Sequence, residues 1–443
     1  MSQDTAHSPR KRASLHTLGC RLNQSESLIL QEQLQAEGYE IVPYGEAADL
    51  AIVNTCTVTN HADAKSRKAI RGFLRENPEA YMAVIGCYSQ MGAKALCEIP
   101  GVDLIVGNQE KMNVLAYIKE GKNEAPLVVR DQMLRDDFTI DTVGTAAFTQ
   151  RANLKIQDGC DFMCSFCIIP FARGRSRSRA MDNLLDEARQ LVERGALELV
   201  LTGVNIGTYA YEGQTVLNVV DRLNEIEGLA RIRISSIEPT TIEEALFDRM
   251  NDHHHALVPY LHIPLQSGSD HVLGIMRRLY TRQEYSDFIQ HAYDSVPDLC
   301  IGTDIMVGSP GETEADFEDT CDVLLNTPLT YAHVFKYSER DGTAALRIPE
   351  KVDEKEKNRR SAIIRRISGQ KLNEFQSRYL GQTVDVLCES EEQGLWSGYT
   401  EHYIRVSVPS DAILKNTVHK VRLDAIHGDF VMGSLVESAV VAR

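Results

Sequence analysis

The sequence predicts a multidomain α/β protein: an N-terminal parallel α/β region, an open barrel of six βα units and a small C-terminal β-barrel. Three observations predict it. Short apolar runs alternate with helical patterns in two series, one to about residue 145 and one from about 150 to 350, as parallel strands with crossover helices do. The second series holds six strand candidates, whereas a complete eight-stranded barrel takes roughly 250 residues. After Gly381 the texture becomes alternating and β-rich. A chain of 443 residues also exceeds what one ordinary core organises.

The first domain is expected over residues 12–125 and repeats one unit three times. SLHTLGC ends at Cys20, LAIVNTC at Cys56 and YMAVIGC at Cys87, and a helical pattern follows each. Functional groups of parallel sheets collect beyond the carboxyl ends of the strands, so these three cysteines are expected to converge. VDLIVG (102–107) reads as a further strand and 121–150 as a linker. The second domain is expected over 146–375. Its strand candidates are NLKIQDGC, LELVLTGVN, RIRISSIEP, LVPYLHIPLQSGS, IGTDIMVGSPGE and YAHVFKYSE, each closing in a polar or glycine-rich tip. Residues 351–379 form a charged helical stretch with nine Lys/Arg against four Asp/Glu. The third domain is expected over 378–443, from TVDVLCE, LWSGYTEHYIRVSV and HKVRLDAIHGDFVMGSLV.

Composition narrows the class. Hydrophobic residues make up 43% and charged residues 25%, the balance of a globular protein. No stretch approaches the roughly 20 apolar residues of a membrane helix. The start, MSQDTAHSPRKRASLHTLGC, has basic residues but no apolar signal core, so a cytosolic setting away from membranes is expected. A net charge of −16 excludes a protein that is basic all over and leaves nucleic-acid binding to local patches. Ten cysteines in a cytosolic chain do not suit a disulfide framework.

The strongest chemical signal is GCDFMCSFCIIP, which sets Cys160, Cys164 and Cys167 in a CxxxCxxC array. Three thiolates on a tight loop can hold three irons of a [4Fe–4S] cube and leave the fourth open to chelate S-adenosylmethionine (SAM). A structural zinc loop would usually take four ligands in paired spacings, and no fourth Cys or His lies close by. Cys20, Cys56 and Cys87 form a second trio suited to a second cube. A buried cysteine is by default a small hydrophobe, which is the reading for Cys97, Cys300, Cys321 and Cys388. Later strand tips offer SAM contacts: Thr202, Gly203 and Asn205 in LTGVN, Ser236 and Glu238 in SSIEP, Gln266 and Ser267 in PLQSGS, and Gly308, Pro310 and Gly311 in VGSPGE. Singly, each is an ordinary turn; their ordered recurrence after the cysteine loop is the argument. No catalytic residue beyond the cluster ligands is indicated.

TLGCRLNQSES, VNTCTVT and VIGCYSQ, followed by GCDFMCSFCIIPFARGRSRSR, RISSIEP, HIPLQSGSDHVLGIMRRLY and DIMVGSPGETEADF, resemble the radical SAM methylthiotransferases over nearly the whole chain. The β-rich end resembles a TRAM domain, an oligonucleotide-binding-type barrel. TLGCRLNQSES is most similar to the branch acting on threonylcarbamoyladenosine tRNA. The resemblance implies a partial TIM barrel of the radical SAM kind. It also implies an auxiliary [4Fe–4S] cluster on Cys20, Cys56 and Cys87 and a SAM-binding [4Fe–4S] cluster on Cys160, Cys164 and Cys167. The implied reaction is methylthiolation at carbon 2 of the modified adenosine 3′ of the anticodon (position 37), with two SAM molecules used per turnover. An electron donor such as a flavodoxin or ferredoxin is implied, and the sulfur donor is open.

Two places are expected to meet the tRNA anticodon stem-loop. ARGRSRSR places Arg173, Arg175, Arg177 and Arg179 just after the cluster loop, and the helical stretch adds Arg359, Arg360, Arg365 and Arg366. A charge run is otherwise a solvated face. From Gly381 onward five Lys/Arg face nine Asp/Glu, an acidic balance that departs from an RNA-binding barrel. Trp396, Tyr399 and Tyr403 are read as core rather than as base-stacking platforms. The competing readings are the same chemistry on isopentenyladenosine tRNA or on an aspartate of a ribosomal protein, and a non-catalytic iron–sulfur or zinc RNA-binding protein.

Overall fold

The computed structural model describes residues 11–140 and 151–436. Among these the chain forms two compact units, one of residues 11–140, 158–162 and 167–177, the other of 151–157, 163–166 and 178–436.

In the first unit the apolar runs become parallel strands: β1 (Arg12–Thr17), β2 (Glu40–Val42), β3 (Leu50–Thr55), β4 (Tyr81–Gly86), β5 (Leu104–Val106) and β6 (Leu127–Val129). Their order is β2-β1-β3-β4-β5-β6, and every neighbouring pair is parallel. LAIVNT and YMAVIG are buried along their whole length, as central strands covered on both faces must be. The helices are α1 (Arg21–Ala36), α2 (Asn60–Glu76) and α3 (Cys87–Cys97). The short α4 (Ile169–Arg173) follows the cysteine loop. Thr59 caps α2 by accepting from Ala62 N at 3.1 Å, and Asp63 sits in the first turn where the helix dipole favours it. The expected linker over 121–150 carries β6; residues 141–150 lie outside the described range.

In the second unit all six expected strands form: β7 (Arg151–Lys155), β8 (Glu198–Thr202), β9 (Arg231–Ile234), β10 (Tyr260–His262), β11 (Cys300–Val307) and β12 (Tyr331–Lys336). They build two parallel sheets, β9-β8-β7 and β10-β11-β12, joined by the parallel bridge Ile232↔Leu257. The result is an open half-barrel. Its helices are α5 (Met181–Glu193), α6 (Val216–Asn224), α7 (Ala245–Asn251), α8 (Asp270–Met276), α9 (Arg282–Ser295), α10 (Glu314–Asn326) and α11 (Glu354–Ser377). Gly302 in β11 is required by crowding: an added Cβ would stand 2.5 Å from the Tyr331 hydroxyl and 2.9 Å from His262 Nδ1.

The chain ends in a closed barrel, β13 (Thr383–Glu392), β14 (Leu395–Tyr399), β15 (Arg405–Pro409), β16 (Thr417–His427) and β17 (Phe430–Leu435), ordered β13-β14-β15-β17-β16. Val386, Cys388, Trp396, Val406 and Val421 share one core with Tyr260 and Cys300 of the half-barrel and Phe375 of α11. Arginines at the strand starts complete the junction. Arg231 donates to the carbonyls of Tyr399 and Asp385 (both 3.0 Å), and Arg233 to those of Glu401 (2.9 Å) and Thr400 (3.3 Å). Glu198 balances Arg233 at 2.6 Å, and Arg151 pairs with Glu389 while lying 4.1 Å above the Tyr399 ring. Trp396 is buried, and Tyr399 stacks on Tyr403 at 4.8 Å within this junction, so these rings serve packing.

Candidate functional site

Three adjacent strands bring three thiols to one edge of the first unit. Cys20 caps α1 after β1, Cys56 follows β3 directly, and Cys87 opens α3 after β4. The glycines keep these turns tight. At Gly19 (φ +107°) an added Cβ would stand 2.7 Å from Cys56 Cβ and 3.1 Å from its Sγ. At Gly86 (φ +97°) it would meet Asn54 Oδ1 at 2.6 Å. Cys56 and Cys87 are buried and Cys20 exposed, all unbridged. Burial pushes the Cys56 thiol up to about 12, and the nearby Cys87 and Cys20 act in the same direction. Such a group becomes a thiolate when a soft metal takes the proton's place.

A buried polar network ties the three cysteine loops together. Asn108 Nδ2 donates to Cys87 Sγ (3.5 Å) and to the Ala172 carbonyl (2.7 Å), while its Oδ1 accepts from Lys111 Nζ (2.9 Å). Lys111 pairs with Glu26, and Glu26 with Arg173 at 3.1 Å. Arg173 also donates to Asp158 Oδ1 (2.9 Å) and Asn23 Oδ1 (2.6 Å). Asn23 Nδ2 in turn holds the carbonyls of Leu18 and Thr55, beside Cys20 and Cys56. The carboxylates of Glu26 and Asp158 face Lys111, Arg173 and Arg177, so every buried charge here has an opposite partner. The network also explains why Asn23 and Glu26 stand one helical turn apart in TLGCRLNQSES.

The CxxxCxxC loop places Cys160, Cys164 and Cys167 within eight residues. In the first unit, Cys160 N donates to Gly174 O (3.1 Å), and Phe162 N points at Cys160 Sγ (3.4 Å). In the second unit, Arg278 Nη1 donates to Cys164 Sγ at 3.4 Å, and its Nη2 pairs with Glu238 and bonds the Tyr280 hydroxyl (2.9 Å). Tyr280 donates onward to the carbonyls of Pro264 and Leu265. Burial raises the Cys164 thiol and the Glu238 carboxyl, and Arg278 opposes both shifts. Among the described residues no three such side chains close on one point as ligands of a single metal ion would. Thiolates of a cube each take a different iron and need not do so. Soft thiol donors suit iron–sulfur ligation in both sets, and Cys20, Cys56 and Cys87 are also a close trio.

The expected SAM contacts divide by position. Thr202 ends β8 with its hydroxyl buried and unpartnered. Gly203 passes Gln157, whose Oε1 accepts from Val204 N and Asn205 N. Asn205 Oδ1 accepts from Glu238 N and from Thr241, leaving its buried Nδ2 without a partner. The Ser236 carbonyl accepts from Ile206 N. Gln266 holds a left-handed φ of +68°, pinned by Asp304 O and Met306 N. The unpaired polar atoms of Thr202 and Asn205 thus lie at the tip of β8, with Asn205 beside Glu238. The fully buried Ser267 hydroxyl contacts Thr320 of α10 at 3.3 Å. Gly308 (φ +73°) packs on Lys357, Pro310 is buried, and Gly311 (φ +81°) packs on Ile275 and donates to Glu350 O.

The arginine run divides by burial. Arg173 and Arg179 have side chains only 1% exposed, the first in the network above and the second against Glu187. No face of either is left for a phosphate. Arg177 is nearly covered and lies 3.6 Å from Asp158, whereas Arg175 is 43% exposed. On α11, Arg359 and Arg360 are held by Glu314, Glu356 and Glu312, and Arg365 by Val334 O. Arg366 remains exposed. Cys300 and Cys388 are core residues, as expected.

Sequence reasoning missed Gln157, Asn108, Lys111 and Arg278, whose partners lie far away in the chain. It also missed an inner-wall pair, His262 Nε2 to Asp304 Oδ1 at 3.1 Å.

Comparison with known proteins shows the family. Residues 12–107 match the uncharacterized protein family UPF0004, and residues 154–324 match the radical SAM superfamily. The chain is 37% identical over 421 residues to the threonylcarbamoyladenosine tRNA methylthiotransferase MtaB of Bacillus subtilis (strain 168), covering 93% of each. It is 34% identical to the tRNA-2-methylthio-N(6)-dimethylallyladenosine synthase of Roseobacter denitrificans (strain ATCC 33942 / OCh 114), covering 90% of this chain and 92% of that one. The radical S-adenosylmethionine methyltransferase TsrM from Kitasatospora setae superposes with a TM-score of 0.56 at 15% identity, over 76% of this chain and 77% of that one, a likeness of fold.

Proposed function

Because the chain belongs to the radical SAM methylthiotransferase family, we propose that it methylthiolates carbon 2 of N6-threonylcarbamoyladenosine at position 37 of tRNA, 3′ of the anticodon. One observation carries the reading: the chain matches that relative nearly end to end and holds both cysteine trios, one at three neighbouring strand ends and one on the loop after β7. Cys160, Cys164 and Cys167 hold the SAM-binding [4Fe–4S] cluster, and Cys20, Cys56 and Cys87 hold the auxiliary one. When bound, the clusters and SAM supply the carbon radical and the sulfur that the reaction needs.

The chain's own residues bind and orient. Arg278 fixes the position of Cys164 and neutralises Glu238 beside it. Thr202, Asn205 and Gln266 offer polar atoms to SAM, with Gln157 holding the LTGVN turn in shape. Asn108 and Asn23 hold the loops of the auxiliary trio. The setting is cytosolic, with a flavodoxin or ferredoxin as reductant. No described helix is long and apolar enough to cross a membrane.

Anaerobically purified protein is expected to hold about eight irons. Cys160→Ala and Cys20→Ala both abolish methylthiolation, but only the first abolishes SAM cleavage. Nucleoside mass spectrometry of tRNA from a deletion strain identifies the substrate. Loss of the methylthio form of isopentenyladenosine, with that of threonylcarbamoyladenosine intact, would transfer the assignment to the other branch.

A further inference from the structure

Helix α2 carries a basic face that the fold does not need. Lys65, Lys68, Arg71 and Arg75 are exposed, and Arg67 is half-buried. The opposite side supplies Ile70, Phe73 and Leu74 to the core. Residues 64, 67, 68, 71, 72 and 75 recur at three- and four-residue steps and therefore share one face. They line a concave volume of about 370 Å³. Among the described residues Lys65, Lys68 and Arg71 form no ion pair, and Arg75 meets only the exposed Glu76 at 3.3 Å. Arg67 is braced by Tyr88, to whose hydroxyl it donates at 2.6 Å.

Two features work against the helix here. Like charges at helical spacing repel, and Gly72 disfavours the middle of a helix. No packing requires that glycine: an added Cβ would meet nothing within 4 Å. What Gly72 does is leave a notch between Lys68, Arg71 and Arg75. In a chain of net charge −16 such a concentration of unpaired cations is a local exception.

We propose that this face of α2 binds the sugar–phosphate backbone of the RNA substrate, with Lys68 and Arg71 each neutralising a phosphate and the Gly72 notch admitting the strand. The inference rests on the tRNA reading above and adds where the RNA is held. The groove contains only Ala64 and Gly72 as apolar residues, so it lacks the hydrophobic face with which a helix lies in a membrane surface. Phosphate recognition needs clustered Lys and Arg without base contacts, which is what the groove presents.

The test measures affinity of the cluster-loaded full-length protein for tRNA carrying threonylcarbamoyladenosine, across salt concentrations. Lys68→Ala/Arg71→Ala is expected to weaken binding about ten-fold at low salt and to reduce the slope of log Kd against log salt by about 1–2. Iron content and melting temperature should stay at the wild-type level. Gly72→Leu fills the notch and should weaken binding without lowering the melting temperature, since leucine favours helix. Wild-type affinity and slope in the double variant would overturn the proposal while leaving the tRNA reading intact. Weaker binding with an unchanged slope would also overturn it, because the helix would then act through the fold rather than through phosphates. Failure of the wild-type protein to bind tRNA would remove the tRNA reading and this inference together.

Discussion

Arg278 Nη1 stands 3.4 Å from Cys164 Sγ while the other arm of the same guanidinium pairs with Glu238, so one buried cation joins the Cys164 thiol, the proposed cluster ligand, to a strand-tip carboxylate. A positive charge beside a cluster thiolate favours the added electron. Arg278→Gln is therefore expected to lower the reduction potential of the SAM-binding cluster by on the order of tens of millivolts, and Arg278→Lys by less. Redox titration followed by electron paramagnetic resonance checks this. An unshifted potential in a variant that keeps its irons would show that the arginine serves packing alone.

Arg173 and Arg175 are two residues apart and should behave as opposites. Removing Arg173 leaves Glu26 and Asp158 buried with less compensation, a loss of about 3–5 kcal/mol where a buried partner is deleted. Arg173→Ala is expected to lose the auxiliary irons and unfold at a markedly lower temperature. Arg175→Ala should leave both unchanged, because its side chain is 43% exposed. Iron assay and thermal unfolding compare the two, and equal stability would refute the structural role of the network.

Asn205 offers a buried amide Nδ2 that no group among the described residues accepts. If SAM accepts it, Asn205→Ala weakens SAM binding by about five- to ten-fold, the value of one hydrogen bond of roughly 1–1.5 kcal/mol. Equilibrium dialysis against the cluster-loaded protein measures it. Unaltered SAM affinity would remove Asn205 from the proposed SAM contacts.

Asp316 joins the starts of α8 and α10. It accepts from Ser269, from His271 and from both the amide and hydroxyl of Thr313. Burial pushes its carboxyl up, but these hydrogen bonds outweigh burial and hold it down at about 2. A depressed carboxylate stabilises fully above its unfolded value, and the contribution is lost only as pH falls through the folded one. Asp316→Asn should therefore cost on the order of 1 kcal/mol after solvent screening, by the same amount from about pH 5 to about pH 8. Thermal unfolding across that range checks it, and a penalty that shrank toward the acid end would contradict the assignment.

The strands and the convergence of Cys20, Cys56 and Cys87 were legible because their signals are local. An apolar run, a small residue and a cysteine recur within seven residues, and a strand's carboxyl end dictates where the thiol stands. All six half-barrel strands follow from the same texture. Arg173 was not legible as buried, since RGRSRSR reads as a solvated charge run and its partner Glu26 lies 147 residues away. Arg278 was hidden for the same reason, 114 residues from Cys164. The face of α2 did carry a signal, cations at three- and four-residue steps, but only the packed helix shows which of them stay unpaired. The turn of the Ser267 hydroxyl toward α10 was not legible, because PLQSGS names a tip without saying which way each side chain points.

Beside the shared core, the small barrel is gripped through its main chain: Arg231 and Arg233 read four peptide oxygens. Peptide oxygens are the same whatever amino acid bears them. A handle of that kind is blind to spelling, so the letters around it can drift toward acid or base while the module stays seated. The negative balance of this barrel is compatible with that handle, and a differently charged barrel of equal backbone shape would stay seated provided it kept the shared core residues and Glu389, the partner of Arg151.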